Sequence, residues 1–139
     1  GEASNRLMGV ATMLAFSNFG DNSHPLARKV RDAVEILHRD HPELIVDGEM
    51  HGDVAINPAF AKENYPLSKV QGDANVLIFP GLNSGNIAYK LVTHLAGGEA
   101  IGPLLIGLKY PVNVVNFNST VRDIVNMAAL SAYQSGLRG

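Results

Sequence analysis

Asn83, Ser84, Gly85 and Asn86 form a polar cluster directly after the apolar run Val76-Leu-Ile-Phe79, and Lys90 follows Asn86 by four residues. With a strand before the cluster and a helix after it, these residues stand at a helix start beyond a strand's carboxyl end. Free N–H groups and the helix dipole favour an anion there, and open α/β sheets bind ligands beyond the carboxyl ends of their strands. Asn86 and Lys90 share one helix face. The chemistry this spacing offers is an anion held by backbone N–H groups, Asn86 and Lys90. The plainer reading is a capped helix and a surface lysine, and spacing by itself favours it.

Asp123 is the second candidate. Thr120-Val-Arg-Asp123 fits the capping-box pattern ahead of an apolar run. It could equally be a carboxylate at the mouth of a cleft, accepting a proton. A carboxylate that accepts backbone N–H bonds is a weaker base, so the two roles compete. Stock phosphate-binding and dinucleotide-binding glycine motifs are missing, and Gly81-Leu-Asn-Ser-Gly85 has two residues ahead of its serine where a nucleophile elbow has one. Ser84 is therefore a cap or an anion ligand. Asp47, Glu49, His51 and Asp53 alternate, and on a strand they would share a face as metal ligands do. Gly48 and Gly52 speak against a regular strand there, so no metal is expected. His38 and His41, flanking a helix end, are expected on the surface.

The elements that must position these groups alternate. An apolar run at 7–16 predicts a buried strand, and Asp21, Asn22 and Ser23 supply caps for a helix with Pro25 in its first turn. Leu26, Val30, Val34 and Leu37 follow helical spacing, with Arg28, Arg31, Asp32 and Glu35 on the polar side and a stop near His41-Pro42. Leu44-Ile-Val46 reads as a short strand, and 54–64 as a short helix interrupted by Pro58. A buried strand at 76–79 leads to a helix at 85–95, with Ile87, Leu91 and Leu95 on one face and Gly97-Gly98 ending it. Short strands are expected at 104–108 and 112–115, and a last helix at 120–133. Continuous apolar strands alternating with helices predict an α/β layer fold with a mainly parallel sheet covered on both faces.

The chain has 139 residues, 46% hydrophobic and 17% charged, with a net charge of −2 and no cysteine. That excludes disulfide, thiolate and cysteine-metal chemistry. It gives no global reason to expect nucleic acid or an anionic membrane as partner. No apolar run is long enough to cross a bilayer. The expectation is a soluble, cytoplasmic protein. Gly1-Glu-Ala-Ser-Asn-Arg6 resembles neither an initiator segment nor a secretory signal, so the chain is expected to be a piece of a longer one.

Three segments together resemble one family. They are Asp47-Gly-Glu49; then 75–90, NVLIFPGLNSGNIAYK, with Glu99-Ala-Ile-Gly-Pro103; then Asp123-Ile-Val. They are similar to the C-terminal part of the phosphate acetyltransferase and butyryltransferase family, over nearly the whole chain. The resemblance implies a three-layer α/β/α fold like isocitrate and isopropylmalate dehydrogenases, of which this chain would be the second half. It implies an irregular, disordered or non-native end at 1–6, the second domain at 7–118, and a terminal helix at 119–139 returning to a missing first domain. A homodimer is implied as well.

For chemistry, the resemblance implies acetyl transfer between phosphate and coenzyme A, with no tightly bound cofactor. Acetyl-CoA, acetyl phosphate and phosphate are the implied ligands. Asn86 and Lys90 would line the acyl phosphate side, with Asn83, Ser84, Gly85 and Asn116 as further ligand-binding candidates, and Asp123 would help to deprotonate the thiol. Active members carry Ser-Arg-Gly shortly before that aspartate; the matching positions here read Asn116-Phe117-Asn118. Phe117 has neither charge nor donor, and loss of such a contact costs about 100- to 1,000-fold in rate. Ser17-Asn-Phe-Gly20 and 120–127, TVRDIVNM, look more like the transferase-like tails of bacterial NADP-linked malic enzymes. Such a tail implies oligomerisation and acetyl-CoA sensing without turnover. An active transferase and a purely structural dimerisation module are the other two readings.

Overall fold

A computed structural model describes residues 9–136, which fall into two compact units divided between Ala88 and Tyr89. The expected end at 1–6 and the last three residues of the expected terminal helix lie outside the described residues.

The first unit is built on a parallel sheet. Strands β1 (Val10–Leu14), β2 (Ile45–Met50) and β3 (Val76–Ile78) pair in the order β2-β1-β3, both pairings parallel. Helix α1 (Pro25–Asp40) joins β1 to β2 and packs on both, burying Ala27, Val30 and Val34. Val30 and Val34 lie on the stripe that the spacing predicts; Leu26, expected there, is exposed, Leu37 is half-buried, and Ala27 takes the buried place in the first turn. Two short helices follow, α2 (Gly52–Ile56) and α3 (Pro58–Asn64), broken at Pro58 as expected. They bury Val54, Ala55 and Ala61 in a cluster with Leu14, Met50 and Val70. The mixed α/β character and the parallel sheet follow the sequence reading.

Several boundaries differ for physical reasons. His24, not Asp21, Asn22 or Ser23, caps α1, its Nδ1 accepting from the Leu26 N–H at 3.2 Å. Two of the three expected caps are engaged elsewhere: the Asp21 carboxylate accepts the Asn18 N–H, and the Asn22 side chain accepts the His24 N–H. β2 runs past Val46 through Gly48, where a regular strand looked doubtful. The doubt had a cause: Met13 pairs with Gly48 and Leu14 with Met50, so Glu49 is the extra residue of a bulge. Gly48 has φ +141°, and a Cβ there would lie 2.6 Å from the Met13 carbonyl oxygen. Only glycine fits such an approach. β3 is partly exposed along its length and not buried as the apolar run predicts. His38 is half-buried, its Nε2 2.8 Å from the Val46 carbonyl oxygen.

The bulge turns Glu49 into a closed polar knot. Its carboxylate is fully buried and receives the fork of Arg31, Nη2 to Oε1 at 2.8 Å and Nε to Oε2 at 3.1 Å. The Ser17 hydroxyl and the Gly20 N–H add bonds of 2.7 and 2.9 Å to Oε1. Arg31, expected on the polar side of α1, is thus turned inward at its tip. Burial pushes the Glu49 carboxyl up. The Arg31 fork, the Ser17 hydroxyl and the N–H groups of Glu49 and Gly20 outweigh it and hold the carboxyl at about 2.

The second unit follows different rules. Helix α4 (Leu82–Leu95), whose first half belongs to the first unit, buries none of its residues, and α5 (Val121–Gly136) buries only Met127. The strands expected at 104–108 and 112–115 do not form; both segments are irregular and their apolar side chains are exposed. Neither segment has a sheet neighbour among the described residues, and an isolated strand does not hold itself.

Because the Glu49 carboxyl is held below its ordinary 4.5, its share of stability is complete above that value and fades as pH falls through about 2. Denaturant titrations between pH 7 and 2 should show that loss. Glu49→Ala should cost about 3 kcal/mol at pH 7. Arg31→Met removes the main lowering contact and leaves burial, so its deficit against wild type should shrink as the pH falls.

Candidate functional site

The loop 96–120 and the start of α5 enclose a cavity of about 220 Å³ in the second unit. Tyr89, Asn116, Asn118, Ser119, Asp123 and Asn126 supply its polar lining. Two residues singled out in the sequence, Asn116 and Asp123, are therefore brought together. Asn116 is held by a turn: its N–H donates to the Ser119 hydroxyl and its carbonyl accepts the Ser119 N–H, both at 3.0 Å.

Asp123 makes the reciprocal capping box. Its Oδ2 accepts the Thr120 N–H at 2.7 Å, and its own N–H donates to the Thr120 hydroxyl at 3.2 Å. The Thr120 backbone bond, then the Thr120 hydroxyl, draw its carboxyl below the ordinary value; partial burial opposes them, and the Arg122 charge assists. A carboxylate stabilised in its charged form accepts a proton less readily. The cap that positions Asp123 at the cavity therefore also weakens it as a base.

Lys90 is exposed and is not part of the cavity lining. Its ammonium rests 4.8 Å from the ring centroid of Tyr89, which does line the cavity. Phe117, between two lining residues, is itself turned fully into solvent. No lysine, arginine or histidine contributes to this cavity.

Asn83 and Ser84 belong to a cavity of the first unit, about 380 Å³, just beyond the ends of β1 and β3. Phe16 follows β1, Pro80 follows β3, and Lys29 of α1 reaches the same space. α4 starts at Leu82, so Asn83 and Ser84 sit in its first turn, three residues earlier than the spacing predicts. The Ser84 hydroxyl donates to the Gly81 carbonyl at 2.9 Å, a local cap contact. Gly85 donates its N–H to the same carbonyl, and Asn86 is exposed one residue further on.

The alternating acidic set does not gather. Asp47 accepts from the Ser68 hydroxyl at 2.9 Å and the Lys69 N–H at 2.7 Å, while the bulge sends Glu49 to Arg31. Asp53 accepts the N–H of its neighbour Val54. No group of metal-ligating side chains occurs among the described residues.

Sequence reasoning missed Tyr89, Asn126 and Lys29. Asn126 had a signal, since it lies three residues after Asp123 on the same helix and so shares its face. Lys29 had none, because only the fold brings α1 to the end of β3.

The chain matches the family described as phosphate acetyl/butaryl transferase over residues 5–132. It is 42% identical to the phosphate acetyltransferase of Bacillus subtilis strain 168 over 88% of its own length and 38% of that protein. It is 43% identical to the NADP-dependent malic enzyme of Rhizobium meliloti strain 1021 over 89% of its length, but only 16% of that protein. A solved phosphotransacetylase from Streptococcus pyogenes superposes with a TM-score of 0.87 at 42% identity, over 91% of this chain and 39% of that one. The chain thus spans well under half of each of these relatives.

Thr120→Ala should cost about 1 kcal/mol of stability through the lost cap. It should also return the Asp123 carboxyl toward its ordinary value, read as an upward move of its midpoint in a carbon-detected NMR titration.

Proposed function

This chain belongs to the phosphate acetyl/butaryl transferase family, and we propose that it acts as a binding module of the kind that ends an NADP-dependent malic enzyme, holding acetyl-CoA without turning it over. The observation that carries this reading is the cavity beside Asp123, which has carboxamides, a hydroxyl and one carboxylate but no cation. Acetyl transfer from acetyl phosphate needs positive charge on the phosphate and on the carbonyl oxygen as they react. Here the family arginine is replaced by Phe117, which faces solvent.

A coenzyme A arm, by contrast, carries amides that pair with Asn116, Asn118, Asn126 and Ser119. Its thioester needs no base, so a capped, weakened Asp123 is no handicap. Asn83, Ser84, Gly85, Asn86 and Lys90 are carried in this proposal as anion-facing residues; of these, Asn83 and Ser84 line the first unit's cavity, together with Lys29. An anion is the chemistry that a lysine beside the first turn of a helix suits.

Oligomerisation belongs to the same proposal. Val121, Val125 and Tyr133 leave α5 with an exposed apolar side. A helix with so little of its surface covered is stabilised by packing on something else: a second copy, or the first domain of a longer chain.

Calorimetric titration should find acetyl-CoA bound, while acetyl phosphate plus coenzyme A should give no thioester above the uncatalysed rate. Thioester formation at the rate of a stand-alone transferase would establish the working-enzyme reading. Absence of acetyl-CoA binding would leave the structural module. Phe117→Arg should keep acetyl-CoA binding and add measurable affinity for phosphate, read by the same titration.

A further inference from the structure

Part of the wall of the Asp123 cavity is a short strap, and one side chain ties it to α5. Residues 97–102 run from the end of α4 along the cavity, with Ala100, Ile101 and Gly102 in its lining. Glu99 is not in that lining; its carboxylate meets α5. Its Oε1 lies 2.8 Å from Arg122 Nε, and its Oε2 accepts from Arg122 Nη2 at 2.9 Å. Asn126, one turn further on, donates its Nδ2 to Oε1 at 3.4 Å. Asp123 and Asn126 line the cavity wall formed by that same turn of α5.

Glycines sit at both ends of the strap. Gly97 has φ +65° and Gly102 φ +144°, and a Cβ at Gly97 would meet nothing within 4 Å. Packing therefore does not explain the first glycine; its backbone angle does. Between these two pivots, Glu99 supplies the described side-chain contacts that join the strap to α5. An exposed ion pair is ordinarily worth little, but a two-bond guanidinium–carboxylate fork with a third donor is the favourable case.

We propose that Glu99 is a positioning residue: its fork to Arg122, with the bond from Asn126, clasps the strap against α5 and so pre-forms the ligand-binding cavity. The proposal rests on the binding-module reading above. A ligand entering a cavity whose wall is already in place does not have to order it. Where the wall is loose, apparent affinity falls by the fraction of molecules in which it is closed. The clasp also occupies the one arginine next to Asp123, which explains why a cavity with a guanidinium so near has no cation in its lining.

The test compares wild type with Glu99→Gln and Arg122→Gln, and with the charge swap Glu99→Arg plus Arg122→Glu. Two readouts are needed: acetyl-CoA affinity by titration, and the backbone order of Ala100 and Ile101 by nitrogen-15 relaxation without ligand. The single variants should weaken acetyl-CoA about 3- to 10-fold and lower the order of the strap, and the swap should restore most of both. Raising salt should weaken wild type toward the variants, since an exposed pair is screened. Unchanged order in Glu99→Gln overturns the clasp, and so does lowered order with unchanged affinity. If wild type binds no acetyl-CoA yet Glu99→Gln loosens the strap and the swap tightens it, the clasp stands and the binding-module reading falls.

Discussion

A buried carboxylate organises the first unit. Glu49 lies on β2, Arg31 on α1, and Ser17 and Gly20 on the loop that follows β1, so one side chain fixes three consecutive pieces of the βαβ unit. Taking a carboxylate out of water is costly unless its lone pairs are met, and here Oε1 accepts three donors and Oε2 one. The satisfaction is mutual: the same loop gives its Phe19 N–H to the Glu49 carbonyl, and Asn18 accepts the His51 N–H. The loop adopts left-handed turns at Phe19 and Gly20, φ 47° and 94°, that aim the Gly20 N–H at the carboxylate. Half-satisfied, such a knot would cost more than an apolar core.

That constraint also sets where ligand chemistry can occur. With the β1 loop drawn down onto Glu49, the space beyond β1 and β3 is left to Phe16, Lys29 and the first turn of α4. The cavity lies at the open end of the parallel sheet, with Phe16 of that loop and Lys29 of α1 in its wall.

Much of this fold was legible in the sequence, and the exceptions are instructive. Val30 and Val34 on α1, the break at Pro58 and the box of Thr120 and Asp123 depend on neighbours within one turn, so local spacing reports them; it named Leu26 where Ala27 is the buried residue. Glu49 was read as one of an alternating acidic row, because a period of two assumes an unbroken strand. Gly48 was the available clue: the residue that made the strand look doubtful is the one that permits the bulge. The apolar runs at 76–79, 104–108 and 112–115 carry strand composition, but burial depends on what lies beside them, which composition does not state. In the candidate site, Asp123 and Asn116 were named, but the lack of a cation is a property of the whole lining. Only Phe117 hinted at it.

Position 117 and the pair of Glu99 with Arg122 then bear on one question, where the positive charge near Asp123 goes. The sequence does supply an arginine, one residue before the aspartate rather than six. On a helix, adjacent residues point about 100° apart, so a guanidinium at 122 starts from a different direction than the carboxylate at 123. Glu99 then fixes that difference by neutralising it outside the cavity, while Phe117 leaves the other approach without charge. A site that must stabilise a reacting phosphate cannot give up both positions. A site that only recognises a neutral amide-bearing arm gains from doing so, because an unpaired cation facing a neutral ligand would have to lose its water for no partner.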